Sequence, residues 1–319
     1  MGSGRDSLAE GSSGRECLKV IQVEREYMDR RQLLKVVGLG ASALPFSSVN
    51  GQETSAVTTE VKASTLPQTV MGWCYKELDL EVLADACVAT GIVGIEGVAI
   101  KDYEFLKSKG LKISMVRTTR FDDGPTNKAE HPRLKKVVME AIDLAVLHEC
   151  PNVILFSGMK VEGLSHTQMT ENCVQFWKSV APYAEKKGVT LVLEHLNSRD
   201  DSHPMKGHPG YFADDIDHSA EMVRAVDSPA MKLLFDIYHV SVMNGDIIRR
   251  IHQHKDVIGH VHTAGNPGRG PLDMSQEINY PPIIQALKDI GYTGYVGHEF
   301  LCPKEDIIES LKDAYRQCC

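Results

Sequence analysis

The amino-acid sequence predicts a single (β/α)8 TIM barrel, an α/β fold, preceded by a segment that is not part of it. From Thr69 onward, short apolar runs rich in Val and Ile alternate eight times with longer segments of helical period. This alternation is typical of βαβ units that build a parallel sheet. A doubly wound sheet of this size would usually carry a Gly-rich phosphate loop after its first strand, and the sequence has none. We therefore expect the barrel to occupy residues 69–319.

The order of elements follows from those apolar runs and from the glycines between them. The predicted strands are 70–75, 94–99, 112–117, 152–157, 190–194, 232–236, 259–262 and 294–299. The predicted helices include 80–90, 132–148, 167–187, 216–226, 246–254, 280–290 and 305–315. Gly91, Gly110, Gly188 and Gly291 each follow a periodic stretch, where glycine favours the left-handed cap that ends a helix.

Residues 1–68 differ in composition from the rest of the chain. They are rich in Gly, Ser and Thr and lack a sustained amphipathic period, which predicts a disordered extension. Arg30 and Arg31 precede a weakly apolar run at 36–44, and the segment 28–55 resembles a twin-arginine export leader. The apolar run is too short for a stable membrane anchor. The sequence predicts export to the periplasm if this leader functions, and a cytoplasmic location if the paired arginines are incidental.

Charge and cysteine content exclude several classes of protein. The 319 residues carry a formal net charge of −8, and a surface of this sign repels phosphate backbones, so we expect no nucleic-acid partner. The eight cysteines show no CxxC pair, so we expect neither a zinc ribbon nor a thiol redox centre. Trp73, Tyr75 and Phe121 are expected to pack within the barrel rather than to line a pocket.

Polar residues close the last four predicted strands, at Glu194, Asp236, His262 and Glu299. Functional residues of such barrels lie at the carboxyl ends of the strands, so we expect these four side chains to meet at one mouth. Three carboxylates and an imidazole would repel one another strongly without a cation. Oxygen-rich ligation with a single histidine suits Mg²⁺, Mn²⁺ or Co²⁺. Taken singly, each residue is better explained as a strand-end cap or an ion-pair partner, and only the four together favour a metal site.

A resemblance to a known family is carried by six segments: LVLEHLN, FDIYH, MNGD, IGHVHTAGNPGRG, EINY and GYTGYVGHEF. Together they resemble the hydroxypyruvate isomerase family, within the xylose isomerase-like barrel superfamily. The resemblance spans residue 70 to the C-terminus and is densest between residues 194 and 300. It implies an aldose–ketose type isomerase that acts on a small keto acid or ketose, foremost hydroxypyruvate, which it converts to tartronate semialdehyde through an enediolate.

The resemblance also implies roles for individual residues. The four strand-end residues would hold the metal ion, and Glu194 and Glu299 would also move the proton. His239 and Arg269 match positions that contact the substrate, where a guanidinium suits the carboxylate of a keto acid. Asp200 would make a polar contact to the terminal oxygen of the substrate.

Several alternatives stay open at this point. Relatives of the hydroxypyruvate isomerase type often carry glutamine where this chain has His262, whereas histidine is commoner in the ketose 3-epimerases of the superfamily. An epimerase acting on a ketose or an inosose is therefore the second interpretation. Apurinic endonucleases share the barrel but need more metal-binding histidines and a basic groove. A noncatalytic sugar-binding barrel is the remaining alternative, and the oligomeric state, including a homo-oligomer, is open.

Overall fold

The predicted apolar runs form eight parallel strands in the computed structural model, which describes residues 66–319. Their bounds are Gln68–Met71 (β1), Gly94–Glu96 (β2), Met115–Val116 (β3), Asn152–Leu155 (β4), Thr190–Glu194 (β5), Met231–Asp236 (β6), Ile258–Thr263 (β7) and Val296–His298 (β8). The order in the sheet is β2-β1-β8-β7-β6-β5-β4-β3, and every paired strand is parallel to its neighbour.

The two outermost strands of that order are joined through Lys112, which precedes β3 and bridges to Gly94 in β2, and this contact closes the barrel. The backbone N–H of Ile95 donates to the carbonyl of Lys112 at 2.9 Å, and the N–H of Lys112 donates to the carbonyl of Val93 at 2.9 Å. Gly94 lies at this seam, where a Cβ atom would stand 2.5 Å from the Lys112 carbonyl oxygen. Closure therefore depends on the absence of a side chain at residue 94, and the predicted (β/α)8 barrel is confirmed.

At least one helix follows each strand. Over the described residues the helices are Leu80–Thr90 (α1), Tyr103–Ser108 (α2), His131–Leu147 (α3), His166–Lys187 (α4), Ile216–Val226 (α5), Ile237–Met243 (α6), Ile247–Gln253 (α7), Tyr280–Asp289 (α8) and Ile307–Gln317 (α9). Strand β6 is followed by two of them, α6 and α7. The longest helix, α4, begins with a capping box in which the Ser165 and Gln168 side chains satisfy each other's backbone N–H groups.

The apolar core has two separate parts. The larger part fills the space between the sheet and the helices. The smaller part lies inside the barrel and consists of Met71, Met115, Ile154, Val192 and Leu234. Three of these side chains also line a cavity at the mouth of the barrel, so the inner cluster forms part of its floor.

Two predictions differ from the structure near that mouth. The first strand ends at Met71 rather than residue 75, and Gly72–Tyr75 forms a 3₁₀ turn that carries Trp73 over the barrel. Helix α6 was not predicted; it begins directly after Asp236, whose carboxylate accepts a hydrogen bond from the His239 N–H at 3.0 Å and so caps the helix.

The N-terminal predictions lie largely outside the described residues. The disordered extension assigned to residues 1–68 is described only from residue 66, and the twin-arginine leader at 28–55 is not described at all, so both stay predictions. Between residues 66 and 319, no helix combines the length and apolar character that crossing a membrane requires.

Candidate metal centre

The barrel brings the four predicted strand-end residues together. Glu194, Asp236 and His262 lie at the carboxyl ends of the neighbouring strands β5, β6 and β7, and Glu299 directly follows β8. The strand register places Asp236 opposite His262 and His262 opposite Gly297. Because all eight strands are parallel, their carboxyl ends share one mouth of the barrel.

Distances among these residues suit a shared ion. One ligand atom from each of the four lies within 4.8 Å of the others, and all four residues are buried. His262 Nδ1 is 3.6 Å from Glu194 Oε1 and 2.9 Å from Glu299 Oε2. A metal ion at the centre of such a group is within reach of every donor after small side-chain movements.

Two atoms of the group lack hydrogen-bond partners among the described residues. His262 Nδ1 and Glu299 Oε2 are both buried without a well-aligned hydrogen bond, although they lie 2.9 Å apart and Glu299 Oε2 also forms an ion pair with Arg269. Buried polar atoms are nearly always satisfied in folded proteins. Two buried atoms that can act as metal ligands and that face the same region are the arrangement that a metal ligand set requires, so these residues fit a bound cation.

The balance of charges among the buried residues also fits a bound cation. Four buried carboxylates occupy this part of the barrel: Glu96, Glu194, Asp236 and Glu299. Arg269 forms ion pairs with two of them, and protonation of both His260 and His262 would still leave one negative charge in excess. Burial raises the pKa of Glu194 and that of Asp236, since neither charge is fully compensated. A divalent cation held by these residues would supply the missing positive charge.

Arg269 and His239 lie beside this cluster and line the adjoining cavity. The Arg269 Nη1 group is 2.8 Å from His239 Nε2, its Nε–H donates to the Glu299 carbonyl at 3.1 Å, and its Nη2 group is 2.5 Å from Glu299 Oε2. The residue adopts a left-handed backbone with φ of 52°, which is unfavourable for a non-glycine residue. The loop after β7 thus holds the guanidinium in place at the cost of local strain.

The cavity above the cluster has a volume of about 410 Å³. Arg117, Arg120 and Lys206 line it in addition to Arg269, and against them stand the two lining carboxylates, Glu194 and Glu299. Neither Arg117 nor Lys206 has an ion-pair partner among the described residues. The rim of this cavity is therefore basic, whereas the carboxylate cluster beneath it is acidic.

Aromatic side chains form another part of the wall, which corrects the prediction that they serve only in packing. Trp73 and Phe121 line the cavity, whereas Tyr75 is buried and packs edge-on against Phe300. The Trp73 Nε1–H donates to Glu299 Oε1 at 2.9 Å, which orients the carboxylate so that its other oxygen faces His262. Position along the chain does not distinguish an aromatic residue that packs from one that lines a cavity.

Two residues differ from the predicted site: Asp200 was predicted but lies outside the cavity, and Glu96 was not predicted but contacts a site residue. Asp200 does not line the cavity; its side chain is exposed and accepts a hydrogen bond from the Ser202 N–H. Glu96, which was not predicted, is fully buried inside the barrel and contacts His262. The available signal was a carboxylate within the otherwise apolar predicted strand 94–99.

Comparisons with known proteins agree with this architecture. The family model described as xylose isomerase-like TIM barrel matches residues 99–318. A human protein named putative hydroxypyruvate isomerase is 27% identical over 215 residues, which cover 64% of this chain and 75% of that protein. A 2-oxo-tetronate isomerase of Cupriavidus necator is 32% identical over 117 residues, which cover 37% of this chain and 42% of that protein.

Among solved structures, an AP endonuclease, family 2, from Brucella melitensis matches with a TM-score of 0.69 and 23% identity. The match covers 78% of this chain and 99% of that chain. At this level of identity the similarity shows the fold alone. The resemblance to the hydroxypyruvate isomerase family that the sequence motifs carry is confirmed by the family model and by the named relatives.

Metal binding is expected to stabilise the protein through Asp236. For metal-stripped full-length protein, Mn²⁺ at a hundredfold excess over its dissociation constant should add about 2.7 kcal/mol to the free energy of unfolding. Asp236→Asn removes one charged ligand and should abolish most of that gain, whereas Asp201→Asn, on an exposed loop, should retain it. Thermal unfolding with and without Mn²⁺ measures both, and an equal gain in the two variants would contradict the assignment.

Proposed function

The chain belongs to the xylose isomerase-like TIM barrel family, and on that premise we propose that it is a metal-assisted isomerase of a small keto acid. The proposed reaction interconverts hydroxypyruvate and tartronate semialdehyde. The observation that carries the proposal is the buried cluster of Glu194, Asp236, His262 and Glu299 beneath a cavity of small-molecule size. Relatives named as isomerases of hydroxypyruvate and of 2-oxo-tetronate support it.

The reaction moves a hydrogen between adjacent carbons, and its natural intermediate is a cis-enediolate. A divalent cation held by Glu194, Asp236, His262 and Glu299 would stabilise the negative charge that develops as the C–H bond breaks. Glu194 and Glu299 both line the cavity, so each can reach a bound substrate. One of them removes the proton and the other returns it.

The remaining residues of the site bind the substrate or orient the catalytic carboxylates. Trp73 holds one oxygen of Glu299 through its indole N–H, which limits rotation of that carboxylate during proton transfer. His239 and Arg269 contact the substrate, with the guanidinium acting on its carboxylate. Most of the Arg269 donors are already used by protein acceptors, so we assign additional attraction of the anionic substrate to Arg117 and Lys206 at the mouth.

A four-carbon oxo acid is the second candidate substrate, favoured by the size of the cavity. A three-carbon acid fills only a fraction of about 410 Å³. The relative named 2-oxo-tetronate isomerase acts, by its name, on a longer oxo acid than hydroxypyruvate. Epimerisation of a neutral ketose or inosose uses the same cluster but gains nothing from the basic mouth, so a panel of keto acids and neutral ketoses separates these activities.

Replacing either glutamate should remove turnover. Glu194→Gln and Glu299→Gln keep the shape of the side chain but not its basicity, and we expect turnover to fall at least about a hundredfold at saturating Mn²⁺. Interconversion of hydroxypyruvate and tartronate semialdehyde, followed by proton NMR, gives the rate. The proposal is wrong if both variants retain near-normal turnover while the circular dichroism spectrum shows an intact fold.

Lys206 should contribute more to the binding of keto acids than to the binding of neutral sugars. Lys206→Met removes a positive charge beside the cavity, and we expect KM for a keto acid to rise about tenfold because a charged contact contributes roughly 1.5 kcal/mol. KM for a neutral ketose should change little. Lys101→Met, at an exposed position outside the cavity, is the matched control. Equal changes for both substrate classes would argue against recognition of an anion at this mouth.

A further inference from the structure

A second group of buried polar residues lies next to the metal cluster, centred on Glu96 at the end of β2. Its carboxylate is fully buried and accepts hydrogen bonds from the hydroxyls of Thr69 at 3.2 Å and Ser114 at 2.8 Å. The Nε2 atoms of His260 and His262 are 3.1 Å and 3.2 Å from its oxygens. Four donors therefore surround one carboxylate in the interior of the barrel.

The geometry makes Glu96 an acceptor toward His262. Its two oxygens each face a hydroxyl donor, from Thr69 and from Ser114, and Oε1 also faces His262 Nε2 at 3.2 Å. A carboxylate in such a set of donors accepts hydrogen bonds. The His262 Nε2 that faces it must therefore carry the ring proton, and in the neutral ring Nδ1 then bears the lone pair.

His262 connects the two clusters through the opposite edges of its ring. Nε2 faces Glu96, and Nδ1 faces Glu194 and Glu299. The ring is fully buried, and Nδ1 has no hydrogen-bond partner among the described residues. Glu96 thus acts on the side of the ring that faces away from the metal cluster.

Gly297 on β8 leaves the space that this contact needs. A Cβ atom there would stand 2.2 Å from Glu96 Oε1 and 2.9 Å from His262 Cδ2. Gly297 does not have positive φ, so glycine is required here for space and not for backbone conformation. The contact between the Glu96 carboxylate and the His262 imidazole therefore depends on three strands, β2, β7 and β8.

We propose that Glu96 is a positioning residue of the metal centre. By accepting the Nε2 proton it selects the tautomer of His262 and holds the ring plane, so that Nδ1 is presented to the cation. The inference rests on the metal centre of the proposed function and adds a residue that is not one of its ligands. Carboxylates that accept from a ligating histidine in this way raise both its basicity and its metal affinity.

A second metal ion held by Glu96, His260 and His262 is the competing explanation, since their donor atoms also lie close together. Two observations argue against it. The separations of 3.1 to 3.3 Å are those of direct hydrogen bonds, and the carboxylate already accepts from two hydroxyl groups. The proposal therefore predicts one cation per chain.

The test is a titration of metal-stripped full-length protein with Mn²⁺ by calorimetry, together with the visible spectrum of the Co²⁺ form. The unaltered protein should bind one equivalent. Glu96→Gln keeps the side-chain size but removes the charge, and should weaken Mn²⁺ binding about ten- to a hundredfold and shift the Co²⁺ bands. Glu96→Asp keeps the charge at shorter reach and should give an intermediate affinity, which covers the case in which the glutamine variant fails to fold.

Ser114→Ala is the matched control, because it removes a hydrogen bond to Glu96 Oε2 while the contact from His262 is to Oε1. It should lower the melting temperature of the metal-free protein yet leave the Mn²⁺ affinity and the Co²⁺ spectrum unchanged. Unchanged affinity and spectrum in both Glu96 variants would overturn the positioning role, and so would two equivalents of Mn²⁺ in the unaltered protein. If the unaltered protein bound no Mn²⁺ at all, the metal centre itself would be refuted, and this inference with it.

Discussion

Electrostatic repulsion among buried carboxylates is the constraint from which the architecture of this site follows. The parallel strands deliver Glu194, Asp236 and Glu299 to one mouth, where each loses most of its water. Isolated buried charges are costly, and like charges in close proximity do not all stay ionised. Arg269 and His262 offset part of this cost, and the residual negative charge is what would attract the divalent cation that we propose for this cluster.

The interior of the barrel contains an apolar region that stabilises the fold and a polar region that adjoins the candidate metal site. An apolar cluster that includes Ile154 and Val192 fills one region, whereas hydrogen-bonded polar groups around Glu96 fill another. Two glycines serve different purposes in this arrangement. Gly94 lets β2 approach the backbone of Lys112, just before β3, and close the barrel, and Gly297 lets a carboxylate approach an imidazole. Barrel closure at Gly94 and the contact between Glu96 and His262 at Gly297 thus both require a residue without a side chain.

The sequence was sufficient for the fold and for the grouping of the four strand-end residues because both depend on periodicity. A polar residue that closes an apolar strand is visible in the chain, and parallel strands bring such residues together. His239 and Arg269 came instead from the resemblance of their motifs, and the structure locates both beside the cluster. Their contact with a substrate stays a proposal.

The site residues that the sequence did not predict correctly are those whose position depends on where a strand ends or on how a loop folds. Strand 94–99 was predicted three residues too long, so Glu96 was hidden as an interior residue instead of standing out as a strand end. Trp73 reaches the cavity only because the chain turns at Gly72, and Phe121 lies in an irregular loop. Asp200 was assigned by similarity alone, and its exposed loop position outside the cavity lining offers no support for that role.

The most direct test is the anomalous diffraction of a Mn²⁺-loaded crystal of the full chain. The account predicts one strong peak, about 2.1 Å from oxygens of Glu194, Asp236 and Glu299 and from Nδ1, not Nε2, of His262. A peak bound instead by Glu96 and His260, or no peak among the four strand-end residues, would contradict it.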